Sequence, residues 1–451
     1  MSTIRERRIT DQGLEIGLAA LTQDRIREAV QAIRNSETGA KMKVYHETCM
    51  RCGMCAPACH FYVSNDNDPS YAPVAKVHQT MTRILNGEDI GPQDVYDFAQ
   101  IAYTECNLCR RCAFYCPVGI DIGYIMSTVR RFCYKLGMVP QYLNDTGNSH
   151  ASTMNQMWVK EDEWTDSLLW QEEEARDEFP HIRIPLDKEG ADIFYSVIGP
   201  EPKFQTQLIY QAACIMHVAG LDWTMPSFPG WDNSDMSMYI GDFETMGRVK
   251  KAHFDAAQKL KCKRIVMGEC GHAFRSVHDV GNRWLGAKDS PVPIVHSIKF
   301  FADLIREGKI KIAYKIDDPV TIHDPCNVIR GRGLMDELRY VTHALCSNVI
   351  EMTPNREYNY CCCAGGGVIN CGPPYKNSRV QGNRVKAEQI KRTGATIVIS
   401  PCHNCHSGLE DIVHGAKIDA KISFLGDLIY PQMEKPAHFT EPAPCNGGGH
   451  V

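Results

Sequence analysis

Three features are scarce in this sequence, and each scarcity removes a class of function. No apolar run reaches the roughly 18 residues that a bilayer-spanning helix requires, so membrane contact is expected only through partner subunits. Positive charge is not in excess. The 49 Lys and Arg stand against 54 Asp and Glu, for a net charge of -5, which argues against the basic stripe of a nucleic-acid-binding surface. The stretch Met1 to Arg8 carries charge where a secretory signal has an apolar core, so the expected location is cytoplasmic. What is abundant is cysteine, with 21 in 451 residues. An odd number of thiols in a long chain without a signal segment points to metal or redox chemistry rather than a disulfide scaffold. The length suggests about three domains.

The densest stretch is Cys361-Cys362-Cys363-Ala364-Gly365-Gly366-Gly367. Core packing has no use for three adjacent thiols followed by three glycines, so a bound group is expected there. Cys326 lies 35 residues earlier, and Cys402 and Cys405 follow as a C-x-x-C pair. The glycines are expected to allow close backbone approach and positive φ in a loop folded around a bulky inorganic core.

Upstream, Cys49-x2-Cys52-x2-Cys55-x3-Cys59 recurs after 46 intervening residues as Cys106-x2-Cys109-x2-Cys112-x3-Cys116, followed by Pro117. This is the two-cluster ferredoxin spacing, in which three close thiolates hold one [4Fe-4S] cubane and the fourth reaches the other cluster. On that rule Cys49, Cys52 and Cys55 join Cys116, and Cys106, Cys109 and Cys112 join Cys59. Zinc is the structural alternative, but two C-x-x-C pairs would satisfy it and leave four of these eight cysteines unexplained. Val74 to Leu85, Val95 to Tyr103 and Ile122 to Leu136 have helical patterns. The region therefore resembles the alpha-helical ferredoxin of succinate dehydrogenase-type iron-sulfur subunits. Cys133, beside Ile125, Val129 and Phe132, reads as a core thiol.

The organisation expected is a helical leader over 1–45, with Leu14, Leu18, Leu21, Ile26, Val30 and Ile33 at helical spacing, then the ferredoxin domain over 46–139. An acidic linker over 140–190 carries Trp158, Trp164 and Trp170, expected to lie tryptophan-down on the protein, with a partner-docking surface as the alternative. Two similar α/β halves follow, 191–310 and 311–435, with short apolar runs alternating with helical stretches. Their candidate strands are 192–198 and 264–268 in the first half, and 320–323 and 395–400 in the second. Each half closes on Asp-Leu-Ile, at 303–305 and 427–429. The second half has Cys326 beyond its first strand and Cys402-His403-Asn404-Cys405 beyond a later one, where open α/β sheets bind ligands. The first has Gly199-Pro200 and Gly268-Glu269-Cys270-Gly271-His272-Ala273, a repeat that kept one cysteine of the pair. The tail, 436–451, is too poor in apolar residues to fold alone and is expected to be flexible. The fold class is thus multidomain α+β: an alpha-helical ferredoxin domain, then two repeated Rossmann-like halves.

The order Cys326, Cys361-Cys362, Gly365-Gly366-Gly367, Cys402-x2-Cys405 resembles the cysteine-rich CCG domain of heterodisulfide reductase catalytic subunits. With the ferredoxin pair in front, it resembles the fused, HdrD-type form. The segments Asp324 to Gly333 and Asn370 to Lys376 look like the DsrK, HmcF and TmcB subunits of membrane redox complexes in sulfur and sulfate metabolism. The resemblance implies that Cys326, Cys361, Cys362, Cys402 and Cys405 bind a noncubane [4Fe-4S] cluster at which a disulfide or trisulfide is reduced one electron at a time. It also implies a small sulfur-carrier protein as substrate, a quinol-oxidising cytochrome b-type membrane subunit among the partners, and a peripheral place on the inner face of the cytoplasmic membrane. Cys363 departs from the pattern, where glycine is usual. Two registers of the adjacent pair follow, of which Cys361-Cys362 keeps the distance to the glycines.

His323, His403 and His406 flank this site as proton donors or as hydrogen-bond partners. Arg330 and Arg332 either hold an acidic substrate tail or balance charge. Cys270 reads as a buried inert thiol, with exchange with substrate as the alternative. Two other functions remain open: an electron-transfer subunit serving a flavin-dependent 2-hydroxy acid or glycerol 3-phosphate dehydrogenase, and a structural subunit whose C-terminal thiols bind zinc.

Overall fold

The computed structural model describes residues 4, 6–234, 236–281 and 292–440. The helices Gln12–Ala19, Gln23–Arg34 and Glu37–Thr48 lead into the first cysteine run, each opened by a side chain that accepts a backbone N–H: Asp11, Thr22 and Ser36. Leu14, Ile26 and Val30 are buried, so the leader packs on the ferredoxin domain by its apolar stripe.

That domain is built around the helices Pro92–Thr104 and Ile122–Lys135. Every residue from Val95 to Thr104 is buried, so this helix is enclosed on all sides. Between the cysteine runs, helical chain extends from Pro73 to Asn86, with a π-turn at His78–Thr82, and ends at Gly87 with φ 67°. Cys133 is fully buried in this core.

The acidic segment does not lie as three tryptophans facing down. Within the helix Glu161–Arg176, Trp164 is fully buried, stacks on Trp231 at 4.3 Å and donates from Nε1 to the Pro226 carbonyl at 2.7 Å. Trp158 and Trp170 are about half exposed. One anchoring ring satisfies the helix, because the face bearing Leu168 and Ala175 supplies the remaining contact with the core.

Two parallel sheets follow. The first comprises β1 (Ile193–Ser196), β2 (Trp223–Thr224), β3 (Arg264–Met267) and β4 (Ile294–His296), in the order β2-β1-β3-β4. The second comprises β5 (Val320–Ile322), β6 (Ile397–Ile399) and β7 (Lys421–Ser423), in the order β5-β6-β7, and Val349 adds a parallel bridge on the free side of β5. With that bridge the two sheets have matching orders. Nearly all of these residues are buried, so the strands read as continuous apolar runs rather than alternation. The two Asp-Leu-Ile strings lie in the helices Ser297–Arg306 and Leu425–Gln432, each entered directly from the last strand of its sheet. Of the tail, 437–440 form a short helix, and the expectation for 441–451 lies outside the described residues.

Candidate metal centres

The ferredoxin loops repeat in backbone as well as in sequence. In the first, Arg51 and Gly53 have φ 54° and 79°, and in the second, Leu108 and Arg110 have φ 52° and 63°. These are corresponding positions on either side of Cys52 and Cys109. Left-handed residues there curl the chain so that its thiols converge. Cys59, just before the helix His60–Ser64, and Cys116, just before Pro117, lie beyond their own loops. Cys116 lines a cavity with Cys49, Cys52 and Cys55. Cys59 lines a second cavity with Cys106, Cys109 and Cys112. The first is near the surface, since Cys52 is exposed. The second lies deeper, next to the buried Lys76, whose Nζ is 3.9 Å from the Cys59 sulfur.

The third group lies at the C-terminal ends of β5 and β6. β5 ends at Ile322 and runs through His323-Asp324-Pro325 to Cys326. β6 ends at Ile399, and Cys402 precedes the helix His403–Gly415, which holds Cys405 in its first turn. Asp324 is held by Arg339 at 2.5 Å, which fixes the turn before Cys326. The thiols form a chain of contacts: Cys361 with Cys326 and Cys362, Cys362 with Cys405, and Cys405 with Cys402. Cys326 is half-buried and the other four are buried. Hydrogen bonds from Cys361 and Cys405 hold the Cys362 thiol well below its usual range, with His323 adding to the effect against burial. Cys361 is pushed up by hydrogen bonds with Cys109, Cys326 and Cys362 and by burial. Hydrogen bonds from Cys270 and Cys405 hold Cys402 low in the same way, so negative charge in this cluster is favoured on Cys362 and Cys402. Lys386, fully buried, donates to Asn359 Oδ1 at 2.6 Å and is pushed down to about 7 by burial.

Cys363 is buried with φ 61°, a left-handed backbone that glycine favours. Its thiol takes no part in the contacts that link the other sulfurs, and burial alone leads the rise in its pKa.

Several expectations change here. Gly366 and Gly367 have the expected positive φ, and Gly365 and Gly366 also serve a protein contact. A Cβ on Gly366, at φ 65°, would fall 2.5 Å from the Asn107 carbonyl of the second ferredoxin loop. Asn107 Nδ2 donates to Gly365 O at 2.9 Å, and Arg130 donates to Gly366 O. Cys109 hydrogen-bonds with Cys361, so the second ferredoxin cavity and the third thiol group touch. Of the three histidines, only His323 meets the thiols, with its ring and the sulfurs of Cys362 and Cys405 within 4.8 Å of one another. His403 turns to Glu201 at 3.0 Å, and His406 stacks on Phe424 at 4.2 Å. Arg330 is occupied by the carbonyls of Cys109, Glu357 and Asn359, each at 2.7 Å, and Arg332 meets His278 at 2.6 Å. Arg330 is therefore a clamp between domains, not a hand extended to substrate.

Residues of the first α/β unit complete the site. Cys270 is buried and hydrogen-bonded to Cys402. His272, pushed down to about 4 by burial and so neutral, accepts from Gly366 N–H on Nε2 at 2.6 Å, leaving Nδ1 for the Asn404 side chain. Glu269 accepts from the Leu425 and Gly426 amides at 2.8 and 2.7 Å, yet burial pushes its carboxyl up to about 8. Nothing in the pattern of single residues marks Arg130, Asn107 or Lys386. The Gly-Glu-Cys-Gly-His string was the visible signal for the others.

Residues 45–120 match the model of the 4Fe-4S dicluster domain, and residues 320–410 match that of the cysteine-rich domain. The Hdr-like menaquinol oxidoreductase iron-sulfur subunit of Archaeoglobus profundus is 26% identical over 424 residues, covering 81% of this chain and 75% of that one. The dihydromethanophenazine:CoB--CoM heterodisulfide reductase of Methanosarcina barkeri has a subunit that is 25% identical over 397 residues, covering 85% of this chain and 93% of that one. Over most of its length the chain is thus similar to iron-sulfur subunits of heterodisulfide reductase type. More distantly, it is 21% identical to the EtfAB:quinone oxidoreductase of Syntrophomonas wolfei, over 86% of the chain and 58% of that relative.

The residues fit 4Fe-4S clusters, which both domains indicate. Eight thiols line two cavities as two quartets, and a third set is all sulfur apart from one imidazole, a donor softness that suits iron–sulfur groups. Among the described residues no helix is long and apolar enough to cross a membrane.

Proposed function

We propose that the chain is an electron-relay subunit of a membrane-associated oxidoreductase complex that reduces a sulfur–sulfur bond at Cys326, Cys361, Cys362, Cys402 and Cys405. The observation that carries this reading is the contact between Cys109 and Cys361, which joins the inner cavity to the third thiol group, while the outer cavity shares the wall residue Ile122 with the inner one. Iron–sulfur groups held along it would supply one-electron storage: cubanes at Cys49, Cys52, Cys55 and Cys116 and at Cys59, Cys106, Cys109 and Cys112, and a noncubane [4Fe-4S] cluster at the five remaining cysteines. Splitting a disulfide takes two electrons, so a relay of single electrons suits a quinol-oxidising, cytochrome b-type partner. The exposed edge at Cys52 faces such a partner, on the cytoplasmic side of the membrane. The half-buried Cys326 marks the side from which a disulfide or trisulfide of a small sulfur-carrier protein approaches. His323, against Cys362, is placed to give a proton to a departing thiolate. The two α/β units are read as one Rossmann-like fold repeated, supported by their matching strand orders.

Replacing Cys362 by Ala tests this: disulfide reduction is lost while both cubanes stay reducible by dithionite. Full retention of activity would refute it. Metal analysis separates the zinc reading, since three clusters require about twelve irons per chain and little zinc. The relative named EtfAB:quinone oxidoreductase supports a second reading, in which the third site only passes electrons between a flavoprotein and quinone. In that case Cys362→Ala would block the flavoprotein-linked reaction and no disulfide would be turned over by the unmodified chain.

A further inference from the structure

The two four-cysteine cavities come from one loop design used twice, so their sulfur donors alone give electrons no preferred direction. Their surroundings differ sharply in charge. Around Cys59, Cys106, Cys109 and Cys112 the cations Lys76, Arg111 and Arg130 are buried and Arg330 is half-buried. Lys76, 2% exposed, donates to the Glu105 carbonyl and directs Nζ at the Cys59 sulfur from 3.9 Å. Arg130, 1% exposed, donates to the Cys106 carbonyl at 2.7 Å, and Arg330 donates to that of Cys109 at 2.7 Å. Arg111, 3% exposed, reaches the Ala58 carbonyl at 2.6 Å. The nearby carboxylates are already neutralised: Glu105 by Arg7 at 2.6 Å, and Asp121 by Arg110 at 2.6 Å. A net excess of buried positive charge remains.

The cavity of Cys49, Cys52, Cys55 and Cys116 has no such set among the described residues that line it. Its charged or titratable neighbours, the thiols apart, are the exposed Arg51, the Tyr45 phenol and the imidazoles of His46 and His78, whose rings lie 6.4 Å apart. Burial, then Arg51, holds His78 below its usual range, toward the neutral form.

We infer that Lys76, Arg111, Arg130 and Arg330 hold the inner centre at a higher reduction potential than the outer one, so that electrons arriving at Cys52 run preferentially inward. Reduction adds one negative charge to a centre. A buried cation stabilises that added charge more than a surface cation does, because water is not there to screen it. An N–H directed at a ligand sulfur acts in the same sense. Burial of the inner centre works against its reduction, and the asymmetry of charge is what overcomes it. The step is a transfer of one electron from the reduced outer centre to the oxidised inner one, with no bond made or broken. The inference rests on the relay proposed above and adds its direction.

The test is a redox titration of the full chain followed by electron paramagnetic resonance. A dysprosium chelate identifies the solvent-exposed outer centre by its faster relaxation. The expected result is that the chelate-sensitive signal appears at the lower potential. Lys76→Met is expected to lower the potential of the inner centre and leave the outer one in place, with Lys76→Arg close to the unmodified value. The reverse order in the unmodified chain overturns the inference, as does an inner potential indifferent to Lys76→Met. If Lys76→Met fails to assemble its clusters, the order in the unmodified chain decides alone. Absence of two cubane signals would instead overturn the relay itself.

Discussion

The sheets of the two α/β units have matching strand orders, yet the units contribute different things to one site. The second carries Cys326, Cys361, Cys362, Cys402 and Cys405. The first carries groups that hold those residues in place. Beyond β3, Glu269 O accepts from His403 N–H at 3.0 Å, its carboxyl takes the first amides of the helix Leu425–Gln432, and His272 receives the Gly366 amide. Glu201, beyond β1, takes His403. The strand ends of the first unit thus face those of the second, and the crevice where such sheets place ligands is shared. The first unit serves the site because a buried loop of cysteines has backbone amides and side chains that need partners.

If this division of labour is right, substitutions in the two units should differ in kind. The largest contrast is between Cys362→Ala, expected to abolish disulfide reduction, and Cys270→Ser, expected to retain most of it with an altered spectrum of the third centre. Equal losses in steady-state assays would break the comparison. Next comes Gly366→Ala. A methyl group 2.5 Å from Asn107 O on a left-handed backbone must push the glycine loop from the second ferredoxin loop, at a cost of about 1–3 kcal/mol. Rapid-mixing spectroscopy should find the inner cubane reduced at a normal rate and its electron passed on slowly. A normal second phase would show that this contact is not the path.

A smaller effect reports on the interface itself. Glu269 is protonated in the folded chain up to about pH 8 because burial disfavours its carboxylate. Between its unfolded pKa, near 4.5, and about 8 the folded state binds the extra proton. Stability therefore falls as pH rises through this window, by up to about 1.4 kcal/mol per pH unit. Glu269→Gln should flatten that slope in denaturant unfolding at pH 5 and pH 8. An unchanged slope would mean the interface is wetter than the structure has it.

Much of this was legible in the sequence. The two cysteine runs and the C-terminal thiols are spaced for chemistry, and short apolar runs foretold β1, β3, β5 and β6. The strands β2, β4 and β7 were not foreseen, because Trp223–Thr224 is two residues long and Ile294–His296 and Lys421–Ser423 carry polar residues at their ends. The clamps were hidden for a different reason. Arg130 and Gly366 are 236 positions apart, and His403 and Glu201 are 202 apart, so no local pattern joins them. The positive φ expected of the three glycines is present at Gly366 and Gly367, but the close approach of Gly366 to Asn107, a residue of another domain, could not be read locally. Cys363, by contrast, was odd in sequence and is odd in structure, a cysteine in a glycine's conformation.

The central claim is that the thiols of the second unit form a centre that reacts with sulfur substrates while the ferredoxin centres only pass electrons. Electron paramagnetic resonance of the oxidised full chain, recorded with and without a thiol substrate, tests it most directly. The account predicts a new signal that needs the thiol and disappears in Cys362→Ala. An oxidised spectrum indifferent to thiol, in protein carrying its full iron, would contradict it.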